Sequence, residues 1–290
     1  MTVFHYYSKG LTVDLLFTNV QEFIAGMNRI AVCYLYCLKK GRPVRIMAFC
    51  LLNNHFHFVL YGSEEDTELF MEHYRFLTTH WIRAHRGERL HEKIDIGHRS
   101  ASTHEKIKEK VVYTLRQTLE AGLRITPQGY PWCSARLLFN DNNCLLEASR
   151  SVREISIRTL RKLVSSEVAI PPGWKVLPNG MIWPGDYTEV SSSENLFSGV
   201  KDFMFCLNNG NNDKTVLNEM NSETPSIPDL EVKDKAESLA QRIFARKGIS
   251  FCPAEERLKI AAWLKRDLHC GYKQLARIVK MNETDLRKSI

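Results

Sequence analysis

His55 and His57 stand one residue apart in the run Asn53-Asn54-His55-Phe56-His57-Phe58-Val59-Leu60-Tyr61. A strand repeats its side-chain direction every two residues, so both imidazoles project from one face and Phe56, Phe58 and Leu60 from the other. Two adjacent imidazoles on a sheet are half of a divalent-metal site. Two half-exposed structural histidines would show the same pattern, so the pair needs companions to mean catalysis. Tyr113 is the first of them. His104 to Leu123 reads as a helix with its apolar stripe at Ile107, Val111, Leu115, Thr118 and Gly122. At 100° per residue Tyr113 falls on the polar side, with Lys106, Glu109, Gln117, Glu120 and Arg124. A core tyrosine belongs on the stripe; one off it is a surface, interface or reactive tyrosine. Gln117 follows one turn later, so the two side chains are neighbours. A phenol has an ordinary pKa near 10 and attacks only when activated.

The surrounding periodicity says what holds these residues. Val20 to Leu38 reads as a helix, Arg45 to Leu52 as a strand, and His55 to Tyr61 as its returning partner. Asn53-Asn54 suits the positive φ angles of a two-residue hairpin. Glu68 to His85 reads as a helix with Phe70, Tyr74, Leu77 and Trp81 as its stripe, and His73, His80 and His85 as solvated or structural histidines on it. Arg86 to Ser102 carries two glycines and reads as a basic loop or small hairpin, with His91 and His98 in it. Arg83, Arg86, Arg89 and Arg99 form a basic run suited to the phosphates of single-stranded DNA. Trp132 reads as core rather than as a platform for a base.

Composition changes after Glu147. Ser149 to Ser166 looks like a basic connecting helix, Pro171 to Tyr187 like short extended pieces about a turn, and Asn208 to Asp234, rich in Asn, Ser, Pro and acids, like a flexible linker. Pro253 suits the first position of a helix. Tyr272 to Val279 and Glu283 to Ile290 are two short helices about a tight turn, the plan of a helix-turn-helix. From Arg257 to Ile290 nine Lys or Arg stand against three Asp or Glu, a net +6 in a chain whose net charge is +7. Arg277, Lys280, Arg287 and Lys288 are the candidate phosphate contacts there. The expected division is 1–147, 148–235 and 236–290. The eight cysteines include no Cys-x-x-Cys pair and sit mostly in apolar runs, which points to small buried residues in a reducing, cytoplasmic compartment and away from a zinc site. No apolar stretch is long enough for a membrane span, and Met1 to Lys9 lacks the core of a signal peptide.

His55-Phe56-His57 after an Asn-rich turn resembles the His-hydrophobe-His motif of the single-tyrosine HUH transposases. His5-Tyr6-Tyr7-Ser8-Lys9-Gly10 looks like their first strand, Val111-Val112-Tyr113 with Ala121-Gly122-Leu123 like their tyrosine helix, and Gly129-Tyr130-Pro131-Trp132-Cys133-Ser134 like their following Tyr-x-Trp-Ser segment. Order and spacing match over residues 4 to about 140, and REP-associated tyrosine transposases are the most similar branch. The resemblance implies a ferredoxin-like α+β fold, an antiparallel sheet with helices on one face, commonly as a homodimer. It implies His55 and His57 as metal ligands, Gln117 as the third, Mg²⁺ or Mn²⁺ as the ion, and Tyr113 as the nucleophile, acting in its own or its partner's site. Gln117-Thr118 replaces the Asn-Pro of the REP-associated pattern; glutamine still supplies an amide oxygen. The implied reaction cleaves and rejoins single-stranded DNA, with hairpin or palindromic ends, through a 5′-phosphotyrosine. A non-catalytic DNA-binding regulator on the same fold would keep the C-terminal helices but has no use for the His, Tyr and Gln set. A metal-dependent hydrolase would use the histidines and leave Tyr113 without a role.

Overall fold

The computed structural model describes residues 2–11, 13–87, 89–123, 125–209 and 227–290. Arg124 and residues 210–226 of the expected linker lie outside them. Four strands, β1 (Thr2–Ser8), β2 (Arg45–Leu51), β3 (Phe56–Gly62) and β4 (Ile96–Ala101), form an antiparallel sheet in the order β2-β3-β1-β4. The α+β class expected from the sequence is the class observed.

Alternation within the strands sorts the two faces. Phe4, Tyr6, Phe56 and Phe58 point to the face covered by α1 (Val20–Lys39) and α2 (Glu64–Arg86). There Phe56 and Phe58 meet the Tyr74 ring at 5.1 Å each, and Tyr6 Oη lies 3.0 Å from Thr67 Oγ1. Each such fully buried phenylalanine contributes about 1.5–3 kcal/mol. Tyr74 also reaches the Gly26 carbonyl of α1. A Cβ on Gly26 would stand 2.5 Å from the Phe17 ring, so α1 can approach only as glycine there. Side-chain caps start the helices: Asn19 accepts from Glu22 N–H, Ser63 from Asp66 N–H. The Ser63 cap and the acids Glu64, Glu65 and Asp66 start α2 four residues ahead of the expected Glu68.

The other face carries His5, Tyr7, His57 and Cys50, with α3 (His104–Leu115) lying against β2 and β3. The expected single helix over 104–123 breaks at Arg116, and α4 (Gln117–Glu120) follows. The buried Arg116 guanidinium leaves the helix to donate to the Leu207 carbonyl at 2.5 Å and to Glu120 at 3.3 Å.

Residues 148–209 are no simple connector. Preceded by α5 (Asn143–Glu147), they form helices α6 (Ile157–Val164), α7 (Val190–Glu194) and α8 (Val200–Asn209) and the small β5 (Arg150–Ser151) and β6 (Lys175–Val176) pair. They send Leu160, Val176, Ile182, Trp183 and Phe203 into the same core as the sheet. Asn28, 1% exposed on α1, donates to the Leu163 and Gly180 carbonyls and accepts from Ile182 N–H. The free edge of β2 is covered as well: Glu189 N–H donates to Ile46 O and Leu51 N–H to Trp132 O.

Arg86, expected among the DNA-binding arginines, is instead a structural residue. It donates to Glu22 Oε1 at 2.9 Å, to Glu22 Oε2, and to the Leu15 and Leu16 carbonyls at 2.7 and 3.0 Å. Burial pushes the Glu22 carboxyl up, but Arg86 and Thr18 outweigh it and hold the group below its ordinary value. Arg86→Ala would leave that carboxylate buried and unpaired, so urea unfolding should show a loss of about 3–5 kcal/mol.

The C-terminal helices α9 (Asp229–Phe244), α10 (Ala254–Leu268), α11 (Tyr272–Val279) and α12 (Glu283–Ser289) enclose a second core, which Leu15 of the first region joins. Asp229 to Asp234, placed in the linker by composition, are the first turns of α9. Lys280 ends α11 in the left-handed region, φ 52°, and gives the tight turn into α12.

Candidate functional site

Register places the histidines. His5 pairs with Val59, and Tyr7 with His57, across the β1–β3 ladder, so His5 and His57 are diagonal neighbours on one face. Their nitrogens, His5 Nε2 and His57 Nδ1, are 3.1 Å apart and their rings stack at 5.3 Å. His55 lies just before β3, its ring 5.1 Å from His57 and nearly perpendicular to it. Its Nδ1 is 2.8 Å from Asn54 Oδ1. A carbonyl oxygen can only accept, so Nδ1 carries the proton and Nε2 presents its lone pair. His57 is similar: Nδ1 is engaged by His5, which leaves Nε2.

The hairpin tip works differently from the expectation. Four residues, 52–55, connect the strands, closed by Leu52 N–H to His55 O, and neither Asn53 nor Asn54 has positive φ. Their side chains are tethers. Asn53 Nδ2 donates to Phe17 O at 2.9 Å and Asn54 Nδ2 to Leu11 O at 3.0 Å, while Asn53 O accepts from Leu16 and Phe17 N–H. The tip that carries His55 is thereby fixed to the loop after β1.

Tyr113 comes to the histidines from α3. Its ring meets His5 at 5.4 Å and His57 at 5.7 Å, both edge-on, and the residue stays 45% exposed. Gln117, buried, donates from Nε2 to the Tyr113 carbonyl at 3.1 Å. That bond takes one amide N–H and leaves the oxygen as acceptor, and Gln117 stands near enough to His55 to oppose the effect of burial on it. His55, His57, Tyr113 and Gln117 are therefore brought together.

The imidazoles are uncharged at neutral pH. Burial, helped by Lys110 and Arg99, lowers His5 to about 4. Burial lowers His55 to about 4, with Gln117 opposing and Arg277 adding. His57 is held well below its ordinary value by burial, then by His55 and His5. Neutral imidazoles are the form that binds a metal. His5, Tyr7 and Lys110 join the expected residues at the site. The alternation of Val3, His5 and Tyr7 against Phe4 and Tyr6 is the signal that could have found the first two.

The remaining candidates scatter. Arg99 faces the histidines, paired in register with His5. Arg83 and Arg89 line a cleft on the outer side of α2. Lys280 and Lys288 are exposed on the C-terminal helices. Arg277 is held inside its module by Asp229 at 3.0 Å, and Arg287 is paired with Glu283 at 2.8 Å over the Tyr272 ring. Yet this module does not stand apart. Tyr272, Lys273, Arg277 and Arg287 form one wall of a cleft of about 370 Å³ whose other wall holds Asn54 and His55. Among the described residues, the trio of ligand-bearing acids and histidines within 4.8 Å of one another is Glu64, Glu68 and His98. It is exposed and lies on the α1–α2 face, since His98 pairs with Tyr6. No described helix is long and apolar enough to cross a membrane.

No family model matches the chain, and no curated protein does. Among solved structures it is similar to a REP-associated tyrosine transposase bound to a REP hairpin, at 11% identity and a TM-score of 0.33, over 47% of this chain and 78% of that one.

Proposed function

We propose that this chain is a metal-dependent strand transferase that cleaves and rejoins single-stranded DNA through a 5′-phosphotyrosine at Tyr113. The observation that carries the reading is the meeting of Tyr113 with His57 and of Gln117 with His55 from separate elements. His55 Nε2, His57 Nε2 and the Gln117 amide oxygen are a mixed nitrogen and oxygen donor set, which fits Mn²⁺ or Mg²⁺, with Mn²⁺ the better partner for nitrogen. When bound, the ion supplies positive charge to the scissile phosphate and its leaving oxygen. The exposed side of Tyr113 admits a strand. Its hydroxyl oxygen attacks phosphorus in line, the bond to the 3′ oxygen breaks, the phenol loses its proton and the departing 3′ oxygen gains one. The phosphotyrosine keeps the ester energy, so another 3′-OH reverses the step and joins a new strand. Arg99 and Lys110, on the same side as His5, add charge for the phosphates. Tyr113 lies beside the histidines of its own chain, which supports action in cis, whether the protein is monomer or homodimer. The C-terminal helices then serve as a DNA-binding module that also walls the site.

His5 is a positioning residue in this scheme. It occupies His57 Nδ1 and so aims Nε2 at the ion. His5→Gln should lower metal affinity or cleavage by about 10- to 100-fold, and higher Mn²⁺ should restore the rate, which a merely structural defect would not allow.

The test is incubation with labelled single-stranded oligonucleotides covering many sequences, with and without Mn²⁺, followed by denaturing electrophoresis. A strand transferase should give an adduct that survives detergent and requires the ion. Binding without cleavage would favour a regulator, and cleavage without an adduct a hydrolase.

A further inference from the structure

The outer side of α2 carries a row of rings. Tyr36 of α1 stacks on His73 at 3.9 Å, His73 faces Phe76 at 6.4 Å and 11°, and Phe76 lies 3.9 Å from His80. His80 Nδ1, 3.0 Å from the Phe76 carbonyl, holds its ring in the row. Phe76 is 53% exposed, a large apolar ring that the core does not use. Phe76 and His80 border a cleft of about 550 Å³ that Arg83 of the same helix also lines, with Arg89 and Lys93 across from them in the 89–94 segment. The guanidinium groups of Arg83 and Arg89 make no hydrogen bond or ion pair among the described residues. Of the acids sharing the cleft, Glu72 is paired with Arg75, which lines it too, and Glu92 accepts from Val13 N–H.

We infer that this cleft is a second binding site for single-stranded nucleic acid, one whose bases stack on Phe76 and His80 and whose phosphates meet Arg83, Arg89 and Lys93. Exposed rings beside unpaired cations are what a strand with unpaired bases requires, because every base has a π face and every phosphate a charge. A duplex hides the faces that Phe76 would take. The site is separate from the histidines: α2 turns Phe70, Tyr74 and Thr78 toward the sheet and Phe76 away, and the histidines lie across the sheet. A strand segment held here is therefore not the one being cut. The inference rests on the proposed function only in taking nucleic acid as the partner.

The test uses the full chain as Tyr113→Phe in chelator, so that only equilibrium binding is read, by fluorescence anisotropy. On a strand of about 30 nucleotides, long enough to leave the histidine site and cover a further site of about 4–16, Phe76→Ala should weaken binding about 10-fold. Arg83→Ala with Arg89→Ala should reduce the salt slope of log K by about 1.4, two phosphate contacts on a single strand. Adduct formation by Phe76→Ala with Tyr113 intact, on a strand of about 6 nucleotides, should stay at the wild-type level. Unchanged affinity and unchanged salt slope on the long strand would overturn the inference. So would a Phe76→Ala protein that keeps its affinity but changes its sedimentation, because the row would then be a protein interface. Failure of the proposed chemistry shows instead as absence of any adduct in the wild type, so the two failures are distinct.

Discussion

Tyr113→Phe should form no detergent-resistant adduct on any strand the wild type cleaves, a fall to background of about 10⁶-fold on the scale seen when a nucleophile is deleted. Non-covalent binding in chelator should stay within about twofold, since the phenyl ring keeps its edge contacts with His5 and His57 and only the hydroxyl is lost. Anisotropy and the adduct gel, run on the same preparation, separate the two effects. The reason to expect a complete loss is the surroundings of the residue. Tyr7 is a second tyrosine near the histidines, its ring 6.3 Å from His57 and stacked at 26°. Its ring is confined by Gly97, where a Cβ would stand 2.9 Å from the Tyr7 hydroxyl. Tyr7 thus presents a face to His57 and lies down over β4, whereas Tyr113 comes edge-on from an exposed helix. A residual adduct in Tyr113→Phe would mean that Tyr7 can substitute.

His57→Ala should also remove cleavage, through the metal. It deletes one of the two imidazole donors and leaves His5 Nε2 without its partner. Cleavage in Mn²⁺ should fall by about 10³-fold or more, beyond the 10- to 100-fold of an outer-shell change. Isothermal titration of Mn²⁺ should show the lost affinity directly. Alanine at 57 also leaves a small hole on the α3 face of β3, and the accompanying loss of stability should be about 1–3 kcal/mol. His57→Gln, which fills the space, checks that the loss of cleavage follows the ligand and not the packing. Duplex binding through the C-terminal helices should persist in both variants, because their own core, from Val232 to Leu286, is built apart from β3.

Much of this site is legible in the chain itself, for local reasons. His55 and His57 share a face because strand period is two, and Tyr113 stands off the apolar stripe because helix period is 3.6. Gln117 is found by being one turn away. What is not legible depends on partners distant in sequence. His5 joins the site only through the β1–β3 register: alternation gives the face it takes on its own strand, but not the strand that lies beside it. Asn53 and Asn54 suggest a tight turn by type, but their side chains hold a loop 36 to 43 residues back. Arg86 and Arg99 look alike in a basic run; one neutralises buried Glu22 and the other faces His5. The basic composition of 150–166 hides Leu160 and Val164, one turn apart, that fasten it to the core, and Asn28 receives it on α1. Charge in the C-terminal module suggests a free DNA reader, whereas Arg277 is spent on Asp229 and still sits close enough to lower His55.

The most direct measurement is the location of the nucleotide in the covalent adduct. The wild-type protein is reacted with a single-stranded oligonucleotide in Mn²⁺, digested with protease and nuclease, and the modified peptide is sequenced by mass spectrometry. The proposed mechanism predicts a nucleotide joined through its 5′ phosphate to Tyr113, and a free 3′-OH on the released strand. A nucleotide on Tyr7 or any other residue, or cleavage with no modified peptide at all, would contradict it.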